Sequence, residues 1–179
     1  EEEEEEQVHG GKAGPSDSVD RAYSLLKEML RLYETGSSDV DVDASFFSKL
    51  ISTLARFGTD YQKAQDIYDH LQELYQRTGD PRFEPDIYTI RAMIIVYSKQ
   101  NQPEKAEPLL VRLEHEAESS GDLTMMPKRG HYRDVLLAWT RSGNKEIAVE
   151  HAERILLRMI DISLRGANED MVPDNRIIN

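Results

Sequence analysis

The chain has 179 residues, of which 34 are acidic and 22 basic, giving a net charge of −12, and it contains no cysteine. The missing cysteine excludes disulfides, thiolate nucleophiles and sulfur-ligated metals, and the overall acidity counts at first against a nucleic-acid partner. No apolar run approaches the roughly 18–20 residues needed to cross a bilayer, and no stretch reads as a signal peptide.

Six glutamates followed by Gly10-Gly11 and Gly14-Pro15 make residues 1–18 a low-complexity acidic segment, expected to be a disordered linker. Asp17 or Ser18 is placed to N-cap a first helix that runs to about Glu34, before Gly36-Ser37-Ser38. Phe47, Leu50, Ile51 and Leu54 follow the spacing i, i+3, i+4, i+7, which predicts a helix over about 44–57. Gly58 turns the chain into a helix over about 60–77, striped by Ala64, Ile67, Tyr68, Leu71 and Leu74. A loop from Gly79-Asp80-Pro81 to Pro85 leads to a helix over about 86–100, with Ile90, Met93, Ile94 and Tyr97 at the same helical spacing. Asn101-Gln102-Pro103 is the next turn, and Pro103 suits the first turn of a helix over about 103–119. Pro108 lies early in that helix and is expected to kink it. After a second loop, Ser119 to Pro127, Tyr132, Val135, Leu136 and Trp139 stripe a helix over about 129–142. Gly143-Asn144 then opens a helix over about 144–164, which Gly166-Ala167-Asn168 breaks. No run alternates with period two, so no strand is expected.

The units repeat. Ala22-Tyr23-Ser24-Leu25-Leu26 is echoed by Ala64-Gln65-Asp66-Ile67-Tyr68, by Ala106-Glu107-Pro108-Leu109-Leu110 and by Ala152-Glu153-Arg154-Ile155-Leu156, with the alanines 42, 42 and 46 residues apart. A fixed period of this size marks a solenoid of helix-turn-helix units. In each unit the first helix is termed A and the second B. The expected division is a half repeat over 19–43, repeats over 44–86, 87–128 and 129–174, and the start of another at 175–179. The first residue is glutamate and Val172-Pro173-Asp174 resembles the entry to another A helix, so the sequence reads as a piece of a longer protein, with a targeting segment before it and further repeats after it.

Charge is unevenly spread. Residues 1–43 carry 13 acids and 4 bases, whereas residues 44–179 carry 21 acids and 18 bases. The A helices hold Lys49 and Arg56, then Arg91 and Lys99, then Arg129, Arg133 and Arg141 against Asp134 alone. The acids, Glu104, Glu107, Glu114, Glu116 and Glu118 among them, fall on B helices and loops. A mildly basic A face is the electrostatic footprint of a phosphate binder.

Pro85-Asp86-Ile87-Tyr88-Thr89-Ile90-Arg91-Ala92-Met93-Ile94, followed by Tyr97-Ser98-Lys99, resembles the start of a pentatricopeptide repeat. Ala106 and Leu109-Leu110 fit the second helix of such a repeat, and Leu137-Ala138-Trp139-Thr140-Arg141-Ser142-Gly143 resembles the end of a first helix and its turn. The resemblance covers about residues 19–179, with units longer than the family's own. It implies a right-handed α-solenoid of tetratricopeptide-like build. It also implies a non-catalytic role in an organelle, mitochondrion or plastid, on transcript processing, stability or translation, with single-stranded RNA as partner. Base reading in the family maps onto Ser48, Arg91 and Arg133, paired with Asp86, Lys128 and Asp174. Ser48 with Asp86 is close to a familiar purine-reading pair, while the other two pairs are not standard. Tyr88 is the one stacking ring at the flanking positions, and Lys49, Lys99 and Arg129 are candidate phosphate contacts.

Other chemistry has little support. The five histidines include no i, i+4 pair. No phosphate-binding glycine loop, dinucleotide fingerprint or nucleophile elbow occurs. Neither enzymatic activity nor a cofactor is therefore expected, and Trp139 is expected in the core. Asp66, Asp69 and Glu73 read as a solvated helix face. The long units and nonstandard pairs keep a protein-interaction scaffold open as the alternative, and a catalytic domain elsewhere in a longer chain as a third.

Overall fold

The computed structural model describes residues 14–36, 41–58 and 60–165. It holds α1 (Pro15–Glu34), α2 (Ala44–Phe57), α3 (Tyr61–Thr78), α4 (Ile87–Lys99), α5 (Pro103–Ser120), α6 (Arg129–Arg141) and α7 (Lys145–Leu164), with no strand among the described residues. The A helices are α2, α4 and α6. Their partners α3, α5 and α7 are the B helices, and α1 takes a B helix's place ahead of α2. The chain is thus all-α, built of recurring helix pairs.

Local chemistry explains where the helices stop and start. Asp43, Asp60, Asp86 and Asn144 each accept a backbone N–H of the first turn that follows, a donor the helix itself leaves unpaired. The A-to-B turns need a positive φ, which Gly58 (64°), Asn101 (53°) and Gly143 (87°) supply. One boundary differs from expectation. α1 begins at Pro15, capped by extended Gly14, rather than after Asp17 or Ser18. Proline fits there because the first helical N–H has no acceptor in any case. Residues 15–18 are therefore helix and not linker, and residues 1–13 lie outside the described residues. α5 continues through Pro108 to Ser120. Two short 3₁₀ turns, Pro81–Phe83 and Leu123–Met125, sit in loops read as irregular.

Each A helix packs on its own B helix and each B helix on the next A helix. The A helices also pack on one another, α2 against α4 and α4 against α6. α4 is consequently enclosed on several sides, and Ile90, Met93, Ile94 and Val96 are fully buried. A single apolar core runs through the units, from Val19 and Leu26 through Phe47, Ile67 and Leu110 to Ile155 and Ile162.

The last echo needs a correction. Ala106, Leu113 and Ala117 of α5 are buried, and the matching buried row of α7 is Ala148, Ile155 and Met159. The offset is therefore 42 and not 46, so Ala148, rather than Ala152, stands where Ala106 stands. The misreading is one helical turn, which leaves an apolar stripe looking much the same.

Candidate nucleic-acid interface

One face of the A layer is set by helical spacing. Ser45, Ser48, Ser52 and Arg56 on α2 correspond to Tyr88, Arg91, Ile95 and Lys99 on α4, and to Gly130, Arg133, Leu137 and Arg141 on α6. No acid occupies any of these positions.

The candidate residues sit in different environments. Tyr88 is 63% exposed, with its ring available for stacking. Ser48 is 5% exposed. Arg91 is half-buried: its Nη2 donates to the carbonyls of Thr124 (2.5 Å) and Met126 (3.1 Å), which ties α4 to the following loop. Arg133 is exposed and donates to Asp134 Oδ1, from Nη2 at 3.1 Å and Nε at 3.3 Å. Lys49 is exposed, its Nζ lying 5.9 Å from the centre of the Phe46 ring. Lys99 and Arg129 are exposed, at the last residue of α4 and the first of α6. Asp86 is the N-cap of α4, accepting from Thr89 N and Oγ1, both at 2.7 Å. Lys128 precedes α6, and its backbone N–H donates to His131 Nδ1 at 3.0 Å. Asp174 lies outside the described residues. The A layer thus brings Tyr88, Lys99 and Arg133 to one surface, while Asp86 serves as a helix cap.

Arg56, Lys99 and Arg141 were not singled out together from the sequence. Each is exposed in the last turn of its A helix, two residues before Gly58, Asn101 or Gly143, and none has an acidic partner among the described residues. That constant offset from the turn residue was a legible signal.

The B layer is organised differently, by ion pairs across repeats. Asp20 and Glu34 of α1 meet Lys63 and Arg77 of α3. Glu107 of α5 meets His151 (2.7 Å) and Arg154 (2.8 Å) of α7, Glu114 meets Arg158 (2.6 Å), and Glu118 meets Arg165 (3.5 Å). Glu107 also accepts from Trp139 Nε1 at 2.8 Å, and Glu114 from the Tyr132 hydroxyl at 2.6 Å. Burial by itself raises the Glu107 carboxyl; hydrogen bonds from Arg154, His151 and Trp139 outweigh it and hold the group below the usual carboxylate range. His151 stacks on Trp139 with ring centres 3.7 Å apart. Beside this network lies an open cavity of about 490 Å³, lined by Pro108, Val111, Trp139, His151, Arg154 and Arg158. Of its charged groups, Arg154 and Arg158 are partnered with the carboxylates of Glu107 and Glu114, an arrangement that ties α5 to α7.

Among the described residues no group of three His, Asp or Glu side chains could hold a metal ion, and no helix is long and apolar enough to cross a membrane. Asp66, Asp69 and Glu73 are exposed. No family model, curated protein or solved structure matches the chain.

Proposed function

We propose that this chain is a right-handed α-solenoid of the pentatricopeptide type that binds single-stranded RNA on its A-helix face without catalysing a reaction. What supports the reading is one observation, the segregation of charge between the two layers. Acids of the B helices pair with bases of neighbouring B helices, for example Glu107 with Arg154 and Glu114 with Arg158. The A face is left with exposed Lys49, Arg56, Lys99 and Arg141, and with Arg133 beside its neighbour Asp134. A solvated cationic surface attracts phosphate at long range and releases condensed counterions on contact. The net charge of −12 does not oppose this, because 13 of the 34 acids precede α2. A mitochondrial or plastid setting and a role in transcript processing, stability or translation go with the family resemblance.

Fluorescence anisotropy with a pool of short single-stranded RNAs tests the reading. Binding that weakens steeply between about 50 and 200 mM salt is the expected result. Absence of binding at tens of micromolar would instead favour a protein scaffold. The groove beside Trp139 and the exposed Val149, Leu157 and Leu164 of α7 would then be the surfaces to probe.

A further inference from the structure

We infer that the six glutamates at residues 1–6 dock within their own chain, along the edge of the fold that carries the A-to-B turns, and that RNA must displace them there. Consecutive helices pack on one another through short connections and so alternate in direction. The A-to-B turns at Gly58, Asn101 and Gly143 therefore share one edge, and the B-to-A loops share the other. The two edges differ in charge. Each turn, taken over residues 54–64, 96–106 and 138–148, holds two bases and one acid. The loops over 36–43, 79–86 and 121–128 together hold seven acids and two bases. Of the six turn bases, Lys63 pairs with Asp60 of its own turn and with Asp20 of α1. Arg56, Lys99, Lys105, Arg141 and Lys145 are exposed and form no ion pair among the described residues.

The way the chain enters the fold puts the glutamates beside this edge. Asp20, in the second turn of α1, pairs with Lys63 in the first turn of α3, and Glu34 at the end of α1 pairs with Arg77 near the end of α3. α1 thus begins at the turn edge, and its Asp20 already supplies an acid to the first turn. Lys105 stands 42 residues after Lys63, at the equivalent site of the next turn, where it has no acidic partner. Eight residues, three of them glycine, separate Glu6 from Pro15, and fully extended they reach about 28 Å. The turns recur at the step between packed A helices, about 8–10 Å, so the three of them span about 20 Å. Six extended residues also span about 20 Å. A short flexible tether holds such a tract at a local concentration in the millimolar range. The contact joins exposed charges, so salt screens it.

The docking is independent of the RNA reading above, and the displacement by RNA rests on it. Because the chain has no cysteine, Gln7→Cys gives a single site for a nitroxide spin label and leaves the six glutamates intact. Paramagnetic broadening of backbone amides, read by NMR on the whole chain, reports what the label approaches. At about 20 mM salt the amides of Asn101 and Gly143 are expected to broaden at least about threefold more than those of Gly79 and Gly121 at the opposite edge. Gly58 broadens in any case, because α1 begins beside it, so Asn101 and Gly143 decide the question. Their broadening is expected to vanish at about 0.5 M salt, when all six glutamates are replaced by glutamine, and in K99Q/K105Q/R141Q/K145Q. Equal broadening at the two edges, or broadening that survives salt and both sets of substitutions, would overturn the docking. Oligo-U of about 15 nucleotides is then added, and the broadening at Asn101 and Gly143 is expected to fall in step with RNA binding followed by anisotropy. RNA bound with the broadening intact would overturn the displacement alone. No binding of oligo-U would overturn the RNA reading and the displacement together, and the docking is then decided by the salt and glutamine results.

Discussion

Glu107 shows how one side chain joins three helices. It is 5% exposed, and its carboxylate accepts from Trp139 of α6 and from His151 and Arg154 of α7. Removing it leaves the buried indole N–H and the His151 ring without an acceptor, which costs more than the bond itself. Arg154 is half-exposed, so its share of the loss is screened. Glu107→Ala is expected to destabilise the fold by about 2 kcal/mol, read by urea unfolding with the single tryptophan, Trp139, as fluorescent reporter. An unchanged urea midpoint would mean that the network is unimportant. His131 makes a second, pH-dependent prediction. Burial, followed by the nearby Arg91 charge, lowers its pKa to about 4, and its Nδ1 accepts the Lys128 N–H only when unprotonated. A histidine with a folded pKa below its unfolded value binds fewer protons when folded, so stability falls as pH drops below about 6.5. Between pH 7 and 5 the share lost through His131 is about 2 kcal/mol; His70, also lowered by burial, adds to it, and His131→Gln should remove the His131 share and make the profile shallower. Parallel pH profiles for the two proteins would contradict this assignment.

At the scale of elements, turns and helix spans were the most legible part of the sequence. Gly58 and Gly143 were read as turn residues and both have positive φ. The helix stripes fell within a residue or so of α2 to α7, because a 3.6-residue period is a local property, whereas the caps Asp43, Asp60 and Asp86 were not read as caps. The glycines differ in what surrounds them. A Cβ at Gly79 meets nothing within 4 Å, whereas one at Gly58 comes within 2.9 Å of the Tyr61 hydroxyl oxygen. Gly79→Ala is therefore expected to cost only the positive-φ penalty of about 1 kcal/mol. Gly58→Ala should lower the melting temperature further, because the Tyr61 ring must also move. Equal melting temperatures would show that Tyr61 yields freely. Periodicity alone could not register α7, since a slip of one turn from Ala148 to Ala152 keeps apolar residues on one stripe; burial against α6 decided it.

For the molecule as a whole, contacts are nearest-neighbour. α4 touches α2, α3, α5 and α6, whereas among the described helices α1 packs mainly on α2, and α7 mainly on α6. Arrays of this kind lose structure from their ends. Amide hydrogen exchange should find the slowest amides in α4 and the fastest helical amides in α1 and α7, and uniform protection would point to a single cooperative unit instead. The sequence by itself determined the helices, their turns, the repeat and the sparing of the A helices from acid, because each depends on residues a few positions apart. Only the tertiary structure decided which charges meet. Glu107 finds Arg154 and Glu114 finds Arg158 at separations of 47 and 44 residues, and Ser48 is largely covered while Arg141 stays in solvent. Those outcomes follow from the stacking of one helix pair on the next, which brings the B helices of neighbouring units within reach of each other's side chains and sets how much water each side chain keeps.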